Sequence, residues 1–361
     1  MKKNVDPYST KIRQWFRENA RDLPWRNTTD PYKIWISEII LQQTRVAQGL
    51  NYYNRFIERF PDLLSLAEAD ESEVLKHWQG LGYYSRARNL HAAAQQIKTL
   101  HNGVFPTDYG HVLALRGVGE YTAAAICSFA YNMPYAVLDG NVFRVLSRLF
   151  GIETPINTSK AKKEFTALAQ ALIDIKKPSE HNQAMMEFGA LQCTPNSPDC
   201  SKCPLIEQCV AFSDYKVHTL PVKTKISNTQ SRFFNYFFAQ QGKYTFLKKR
   251  EAKDIWQNLF EFPLIETDKE TEIGDLIKLH EFGELFGNSH LQISGKRFYV
   301  KHVLSHRIIH ASFYRIEIPE NANCSDQCCL QSTGFLKIHL VELHHFPVSR
   351  LIEKFLEKEG L

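Results

Sequence analysis

At 361 residues the chain is too long for one ordinary single-core domain, so we expect two or three compact units. Hydrophobic residues form 43% and charged residues 23% of the chain, which is the composition of a soluble globular protein. No uninterrupted apolar run is long enough for a membrane span, and the N-terminal MKKNVDPYSTK lacks the apolar core of a secretory signal, so we expect a cytoplasmic protein. The net charge of +5 is compatible with a polyanionic partner but does not establish one.

The first part of the chain, from Tyr8 to about Val210, shows the apolar spacing of helices. Breaks rich in Gly, Pro and Asn separate the segments, which predicts an all-α assembly of roughly ten short helices. The clearest segments are Ser72–Trp78, Arg86–Leu100, Gly110–Leu115, Tyr121–Ala130 and Val142–Phe150.

The character of the sequence changes after Cys209. Residues 215–230 are polar, basic and contain Pro221, which is typical of a linker. From residue 231 onward, runs of aromatic and β-branched residues predict strands, and Leu351–Lys358 resembles a terminal helix, so we expect an α+β domain over 231–361. The predicted strands are Arg232–Ala239, Tyr244–Lys248, Arg297–Leu304 and Phe313–Ile318.

Four cysteines, Cys193, Cys200, Cys203 and Cys209, follow the pattern C-x6-C-x2-C-x5-C. Four thiolates in one loop can bind a structural zinc ion or an iron–sulfur cluster. Zinc sites usually pair two C-x2-C knuckles across a longer loop, whereas here one such knuckle is flanked by single cysteines. The spacing therefore favours an iron–sulfur cluster, with zinc as the alternative.

Gly117-Val118-Gly119 joins two short apolar helices. Glycines allow a sharp turn and a close approach, and the free N–H groups of the next helix can bind a phosphate, although an ordinary helix–helix turn would have the same glycines.

Two carboxylates are candidates for catalysis. Glu38 shares a helix face with the apolar Ile34 and Leu41, which should raise its pKa and suit a general acid unless it lies on an exposed rim. Asp139 precedes the helix Val142–Phe150, where an N-cap is the simplest role and an electrostatic role is compatible with it.

Several of these strings together resemble the MutY family of adenine DNA glycosylases within the endonuclease III superfamily. They are the cysteine loop, LRGVGEYTAAA, SEIILQQT, LDGNV, LPWR, NQAMMEFGA, WQNLFEFP and LSH. The resemblance implies a mainly α helix-hairpin-helix glycosylase domain over 1–214 with a [4Fe–4S] loop at 193–209, a linker over 215–230, and a Nudix-like lesion-recognition domain over 231–361.

The resemblance also implies roles for individual residues. Glu38 would protonate the adenine, Asp139 would stabilise the sugar cation or briefly bond to it, and Asn141 would help orient the reacting groups. Tyr121 stands where endonuclease III-like enzymes have a Schiff-base lysine, which implies base hydrolysis without strand cleavage. The implied contacts to the mispair are Trp25, Arg26, Gln183, Gln43, Thr44, Leu81, Tyr83, Ser305 and His306.

The expected activity is removal of adenine opposite 8-oxoguanine or guanine in double-stranded DNA, by a monomeric, nucleoid-associated enzyme. An endonuclease III-like glycosylase/lyase for oxidised pyrimidines and a non-catalytic iron–sulfur DNA-binding protein remain alternatives. Without the resemblance, Tyr83 would equally suit core packing, and Ser305 and His306 a solvated strand end. Cys324, Cys328 and Cys329 match no pattern and are interpreted as loop cysteines.

Overall fold

The computed structural model describes residues 7–224, 230–287, 291–304, 306–319 and 330–361. Contacts divide the chain into two units, Met1–Glu68 with Asn89–Ile226 and Ala69–Arg88 with Ser227–Leu361. In the sequence, one division falls inside a helix, between Arg88 and Asn89. None of the helices in the described ranges has the length and apolar character needed to cross a membrane.

The first part of the chain is helical, as predicted. Within residues 7–224, all of which are described, there are twelve α-helices rather than about ten, because short turns of helix near residues 65 and 211 are too brief to show periodicity. They are α1 Pro7–Asn19, α2 Pro31–Leu41, α3 Val46–Arg59, α4 Leu63–Glu68, α5 Glu71–His77, α6 Ser85–Leu100, α7 Tyr109–Leu113, α8 Glu120–Tyr131, α9 Gly140–Phe150, α10 Ser159–Leu172, α11 Pro178–Leu191 and α12 Val210–Ser213.

Local chemistry sets the ends of the helices that carry the site. Asp30 caps α2 by accepting the Tyr32 N–H at 2.9 Å, with a proline in the first turn. Asp139 caps α9, which ends at Gly151 in the left-handed conformation. The apolar face of α9 packs into a core with α1, α10 and α11, and cysteines of the 193–209 loop lie against that core.

The described part of the predicted linker is anchored to the first unit. The Ile156 N–H donates to the Val222 carbonyl at 2.9 Å, and the buried Arg148 donates to the Leu220 carbonyl at 3.1 Å. Leu220 itself is buried. The polar, basic composition of this segment therefore gave no sign that the buried Leu220 and backbone hydrogen bonds hold it against the first unit.

The second unit contains a seven-stranded sheet in which the order β3-β2-β1-β6-β5 forms the main path. Three short strands, β3, β4 and β7, had not been predicted, because two to four residues are too few to show alternation. The strands are β1 Gln230–Gln241, β2 Tyr244–Lys249, β3 Phe260–Glu261, β4 Leu264–Thr267, β5 Gln292–Val303, β6 Arg307–Glu317 and β7 Leu336–His339.

Strands β1 and β6 pair in parallel over the whole of β6, from Gln230 opposite Arg307 to Gln240 opposite Glu317. Such central pairing buries aromatic side chains of β1, including Phe237 and Phe238, on both faces of the sheet. Besides α5, the described α-helices of this unit are α13 Ile273–Leu276, α14 His280–Phe286 and the predicted terminal helix, α15 Arg350–Glu359.

Candidate active site

A cleft of about 930 Å³ opens in the first unit. It brings together side chains from α2, α8, α11 and the loop before α9, which are distant in sequence. The predicted site residues that line it are Trp25, Arg26, Glu38, Gln43, Thr44, Gly119, Tyr121, Asp139, Asn141 and Gln183.

Glu38 lies in the most buried helix of this cleft and exposes 6% of its surface. Its Oε2 accepts a hydrogen bond from the Tyr121 hydroxyl at 2.7 Å. Burial raises the pKa of Glu38 to about 7, and the nearby Asp139 charge adds to the rise, while the Tyr121 bond and Arg26 oppose it. Glu38 is therefore protonated in a substantial fraction of molecules at neutral pH.

Asp139 is held by donors on both carboxylate oxygens. Its Oδ1 accepts from the Val142 N–H at 2.7 Å, which caps α9, and its Oδ2 accepts from the Asn141 amide at 2.7 Å. Burial raises the pKa of Asp139 above its usual range, although these bonds and the Arg144 charge oppose the rise. Because both Asp139 oxygens accept hydrogen bonds while burial favours a proton on Glu38, Asp139 is the member of the pair arranged to carry a negative charge.

Arg144, three residues after Asn141, was not recognised in the sequence. Its guanidinium donates to Asn141 Oδ1 at 2.9 Å, to the Gly189 carbonyl at 2.7 Å and to the Cys193 carbonyl at 2.7 Å. Gly189 is required there, because a Cβ would lie 2.7 Å from the Asn141 Cβ. A continuous chain of hydrogen bonds thus runs from Asp139 to the backbone of the cysteine loop.

Glu187 was also missed, although it lies one helical turn after Gln183 on α11. It accepts paired hydrogen bonds from Arg21 at 2.8 and 2.6 Å and from Arg26 at 2.9 and 2.7 Å. Although burial works against it, the bonds from Arg21 and Arg26 hold the pKa of Glu187 at about 2, so it stays charged. This double clamp fixes the Arg26 side chain at the cleft wall.

The four predicted ligand cysteines line one small cavity, together with the side chain of Arg148. Arg148 donates to Cys193 Sγ at 3.4 Å, and to the Thr194 and Pro195 carbonyls at 2.7 and 3.0 Å. Within the described ranges, no three His, Cys, Asp or Glu side chains are grouped as ligands of a single ion. The four cysteines therefore face one cavity, and the guanidinium of Arg148 lies beside it.

The hairpin Gly117-Val118-Gly119 connects α7 to α8, as predicted. Gly117 has a φ of +76°, and a Cβ there would lie 2.5 Å from the Asn89 Cβ, so only glycine fits. Gly119 is the N-cap of α8 and provides no side-chain acceptor, while the space above it is open. The first N–H groups of α8 are therefore available to an anion.

The remaining predicted residues lie outside the cleft. Leu81, Tyr83 and His306 belong to the second unit. Tyr83 is 47% exposed with a φ of +47°, so it does not pack in a core. Ser305, Cys324, Cys328 and Cys329 lie outside the described residues.

Comparisons with known proteins agree with both parts of the fold. Residues 36–171 match the family model of the HhH-GPD superfamily base excision DNA repair proteins, and residues 235–358 match that of the NUDIX domain. These matches confirm the predicted helix-hairpin-helix and Nudix-like architecture.

Two solved structures have a fold similar to that of 57% of this chain. A thermostable thymine-DNA glycosylase superposes with a TM-score of 0.54 at 30% identity, over 57% of this chain and 95% of that one. A trapped endonuclease III–DNA covalent intermediate superposes with a TM-score of 0.50 at 23% identity, over 57% of this chain and 94% of that one, a likeness of fold.

Curated relatives match between about half and most of the chain. The adenine DNA glycosylase of Buchnera aphidicola subsp. Acyrthosiphon pisum is 36% identical over 86% of this chain and 87% of its own length. The adenine DNA glycosylase of Homo sapiens is 40% identical over 57% of this chain and 40% of its own length. As the sequence motifs predicted, the chain belongs to the MutY family of adenine DNA glycosylases.

Proposed function

We propose that this chain is a monofunctional base excision repair enzyme that hydrolyses the N-glycosidic bond of an adenine opposite 8-oxoguanine or guanine. The observation that carries the proposal is the pairing, in one cleft, of Glu38, whose pKa is about 7, with Asp139, whose two carboxylate oxygens both accept hydrogen bonds. Adenine is a poor leaving group as an anion, and the sugar becomes cationic as the bond breaks, so the reaction needs an acid and a negative charge.

Glu38 is the general acid. The Tyr121 hydroxyl, whose own pKa is raised by burial and by the Glu38 charge, remains protonated and donates to Oε2. That bond leaves the proton on the other carboxyl oxygen, from which it passes to a ring nitrogen of the flipped adenine. The base then leaves neutral when the C1′–N9 bond breaks.

Asp139 stabilises the sugar cation while the base departs. Its oxygens are fixed by Val142 and Asn141, so the charge is in position before the reaction begins. Water then adds to C1′ and loses a proton, which leaves an abasic site. Gln183, Trp25 and Arg26 line the same cleft and form the adenine-binding wall, with Arg26 fixed by Glu187.

The composition of the cleft supports hydrolysis without strand cleavage. A lyase needs a lysine amine to form a Schiff base with the sugar, and no lysine is among the described residues that line this cleft. Tyr121, at the position of that lysine in the endonuclease III pattern, is engaged by Glu38 instead.

DNA binds at the hairpin, where the N–H groups of α8 after Gly119 donate hydrogen bonds to the oxygens of a backbone phosphate. On the lesion side, Gln43, Thr44, Leu81 and Tyr83 enter the duplex and His306, with Ser305, contacts the oxidised guanine. Tyr83 suits a wedge between bases because its side chain is exposed and the Arg86 guanidinium carbon lies 5.7 Å from the centre of its ring.

We test the activity with duplexes that contain adenine opposite 8-oxoguanine, guanine or thymine, and with a duplex that contains an oxidised pyrimidine. We expect abasic sites from the first two duplexes only, with 8-oxoguanine preferred, and no adduct after borohydride reduction. A borohydride-trapped adduct with cleavage at the oxidised pyrimidine would instead assign the chain to the lyases. Absence of abasic product from every adenine duplex would refute the proposal.

A [4Fe–4S] cluster is the group that best suits the loop at 193–209. Cys193, Cys200, Cys203 and Cys209 would hold it, and when bound it would supply a rigid structural centre for the loop that Arg144 joins to the active site. The fit rests on four thiols that face one cavity and on the adjacent guanidinium of Arg148.

The cluster is tested by iron and sulfide content and by visible absorbance of the purified protein. We expect about four iron atoms per chain, lost in Cys203→Ser. Cys127→Ala is the matched control, because Cys127 is a buried cysteine of α8 outside the cavity. The assignment would be contradicted if the purified protein contained zinc instead of iron. It would also be contradicted if Cys127→Ala lost as much iron as Cys203→Ser.

A further inference from the structure

The loop Asp254–Asn258, between β2 and β3, is bonded on two sides within the second unit. On one side, Asp254 Oδ1 accepts from Arg307 at 2.6 Å, and Oδ2 accepts from Arg232 at 2.6 Å. Both bonds hold the pKa of Asp254 at about 2 against the effect of its partial burial, so the pairing is ionic at any physiological pH. Arg307 directly follows His306, and its carbonyl accepts the Leu304 N–H at 2.8 Å. Asp254 therefore anchors the turn that carries His306.

On its other side, the same loop holds the segment that carries Tyr83. Asn258 Nδ2 donates to Glu71 Oε1 at 2.6 Å, and Arg88 donates to the Gln257 carbonyl at 2.8 Å. Glu71 begins α5 and Arg88 lies in α6, so these two bonds bracket the wedge loop Leu81–Tyr83.

The wedge loop is itself tied to its bracket. The Trp78 indole donates to the Gly82 carbonyl at 3.1 Å, and Arg86 donates to the same carbonyl at 3.3 Å. Trp78 is fully buried, and the Arg86 guanidinium lies over its ring. A displacement of the bracket therefore moves Tyr83.

The backbone of the Asp254–Asn258 loop is closed on itself and does not bend freely. Trp256 and Asn258 have φ values of +60° and +66°. The Asn258 N–H donates to the Arg250 carbonyl at 2.8 Å, and the Leu259 N–H donates to the Trp256 carbonyl at 3.0 Å. Trp256 is 9% exposed and packs against Phe234, so the loop has the stiffness of a short strut.

We propose that Asp254–Asn258 is a strut that fixes the spacing between the wedge loop and the His306 turn, and that Glu71, Arg88 and Asn258 are positioning residues for the choice between 8-oxoguanine and guanine. The inference rests on the proposed function, in which Tyr83 and His306 act on the same mispair. The wedge loop and the His306 turn can contact the same base only if the distance between them is fixed. A less rigid spacing therefore weakens the contacts that 8-oxoguanine makes and guanine does not.

The test is single-turnover excision of adenine opposite 8-oxoguanine and opposite guanine by the full chain. Asn258→Gly removes the amide but permits the positive φ, and Glu71→Ala removes the acceptor, whereas Glu71→Gln retains an acceptor oxygen. Lys278→Ala is the matched control, since it removes an exposed ion pair with Asp275 in the same unit.

We expect Asn258→Gly and Glu71→Ala each to lower the 8-oxoguanine-to-guanine rate ratio about fivefold, the loss that one hydrogen bond explains. The effect is partial because Gln79 and Tyr84 also hold the segment, through the Val348 backbone at 3.3 Å each. Glu71→Gln should keep the wild-type rate ratio. The double variant Asn258→Gly/Glu71→Ala should lower the ratio no further than either single variant, because both remove the same hydrogen bond. Lys278→Ala should behave as wild type.

The outcomes separate the strut from the function on which it rests. If the wild-type enzyme shows no preference for 8-oxoguanine, the proposed lesion recognition fails and the strut with it. If the wild type prefers 8-oxoguanine and Asn258→Gly retains the full ratio, only the strut is overturned. An equal loss on both duplexes, with a lowered Tm, would reveal a purely structural loop and would overturn it as well.

Discussion

Replacing Glu38 by Gln is expected to slow adenine excision by a factor on the order of 10³ while leaving affinity for the mispaired duplex nearly unchanged. The amide keeps the volume of the side chain and can still accept the Tyr121 hydrogen bond seen at 2.7 Å, but it has no proton to give to the leaving base. Single-turnover rates and equilibrium binding to the same duplex measure the two effects. Glu68→Gln, an exposed change in the same unit, is the control and should behave as wild type.

The pH dependence distinguishes an acid from a merely polar group. Only protonated Glu38 is active in this role, and its pKa is about 7, so the excision rate should fall tenfold per unit well above pH 7. The residual rate of Glu38→Gln should show no such fall. A wild-type rate that stays level up to pH 9 would contradict the acid assignment.

Stability gives an independent check on the same pKa. The folded chain holds the Glu38 proton more tightly than the unfolded chain, with a pKa of about 7 against 4.5, so stability is lost as pH rises through that interval. Glu38→Gln has no titratable group at this position, so its free energy of unfolding does not fall over the same pH interval. We expect the variant to gain about 3 kcal/mol in the free energy of unfolding over wild type at pH 8 and nearly nothing at pH 4.5. Denaturant titrations at the two pH values measure the difference.

Features that depend on neighbours in sequence could be predicted. The burial of Glu38 followed from Ile34 and Leu41 on one helix face, and the N-cap at Asp139 followed from its place before an amphipathic helix. The glycine hairpin before α8 was equally local. These inferences needed only helical periodicity and capping chemistry.

Features that depend on distant residues could not be predicted. Glu187 meets Arg21 and Arg26 across more than 160 residues, and no local pattern marks such an ion pair. The parallel pairing of β1 with β6 and the attachment of Glu71 to Asn258 are equally remote in sequence. The grouping of Ala69–Arg88 with Ser227–Leu361 could not be predicted for the same reason. This segment lies inside the region matched by the HhH-GPD family model, yet its contacts place it in the second unit.

Replacing Asp139 by Asn isolates the charge of the second carboxylate from its structural role. Asn is as good an N-cap as Asp, so the bond to the Val142 N–H and the start of α9 should persist and the Tm should change little. The anion that faces the sugar cation is lost, and we expect excision to slow by a factor on the order of 10²–10³. Single-turnover excision and thermal unfolding of the same preparation measure the two properties.

Asp139→Ser and Thr158→Ser complete the design. Serine also caps a helix but is shorter and uncharged, so Asp139→Ser should be as inactive as the Asn variant and as stable. Thr158 caps α10 through the Ala161 N–H at 3.2 Å, and its replacement by Ser changes a cap of the same unit without touching the cleft. If Asp139→Asn keeps more than a tenth of the wild-type rate, the charge does not stabilise the transition state. Glu38 would then act with only its proton, and the two carboxylates would not form a catalytic pair.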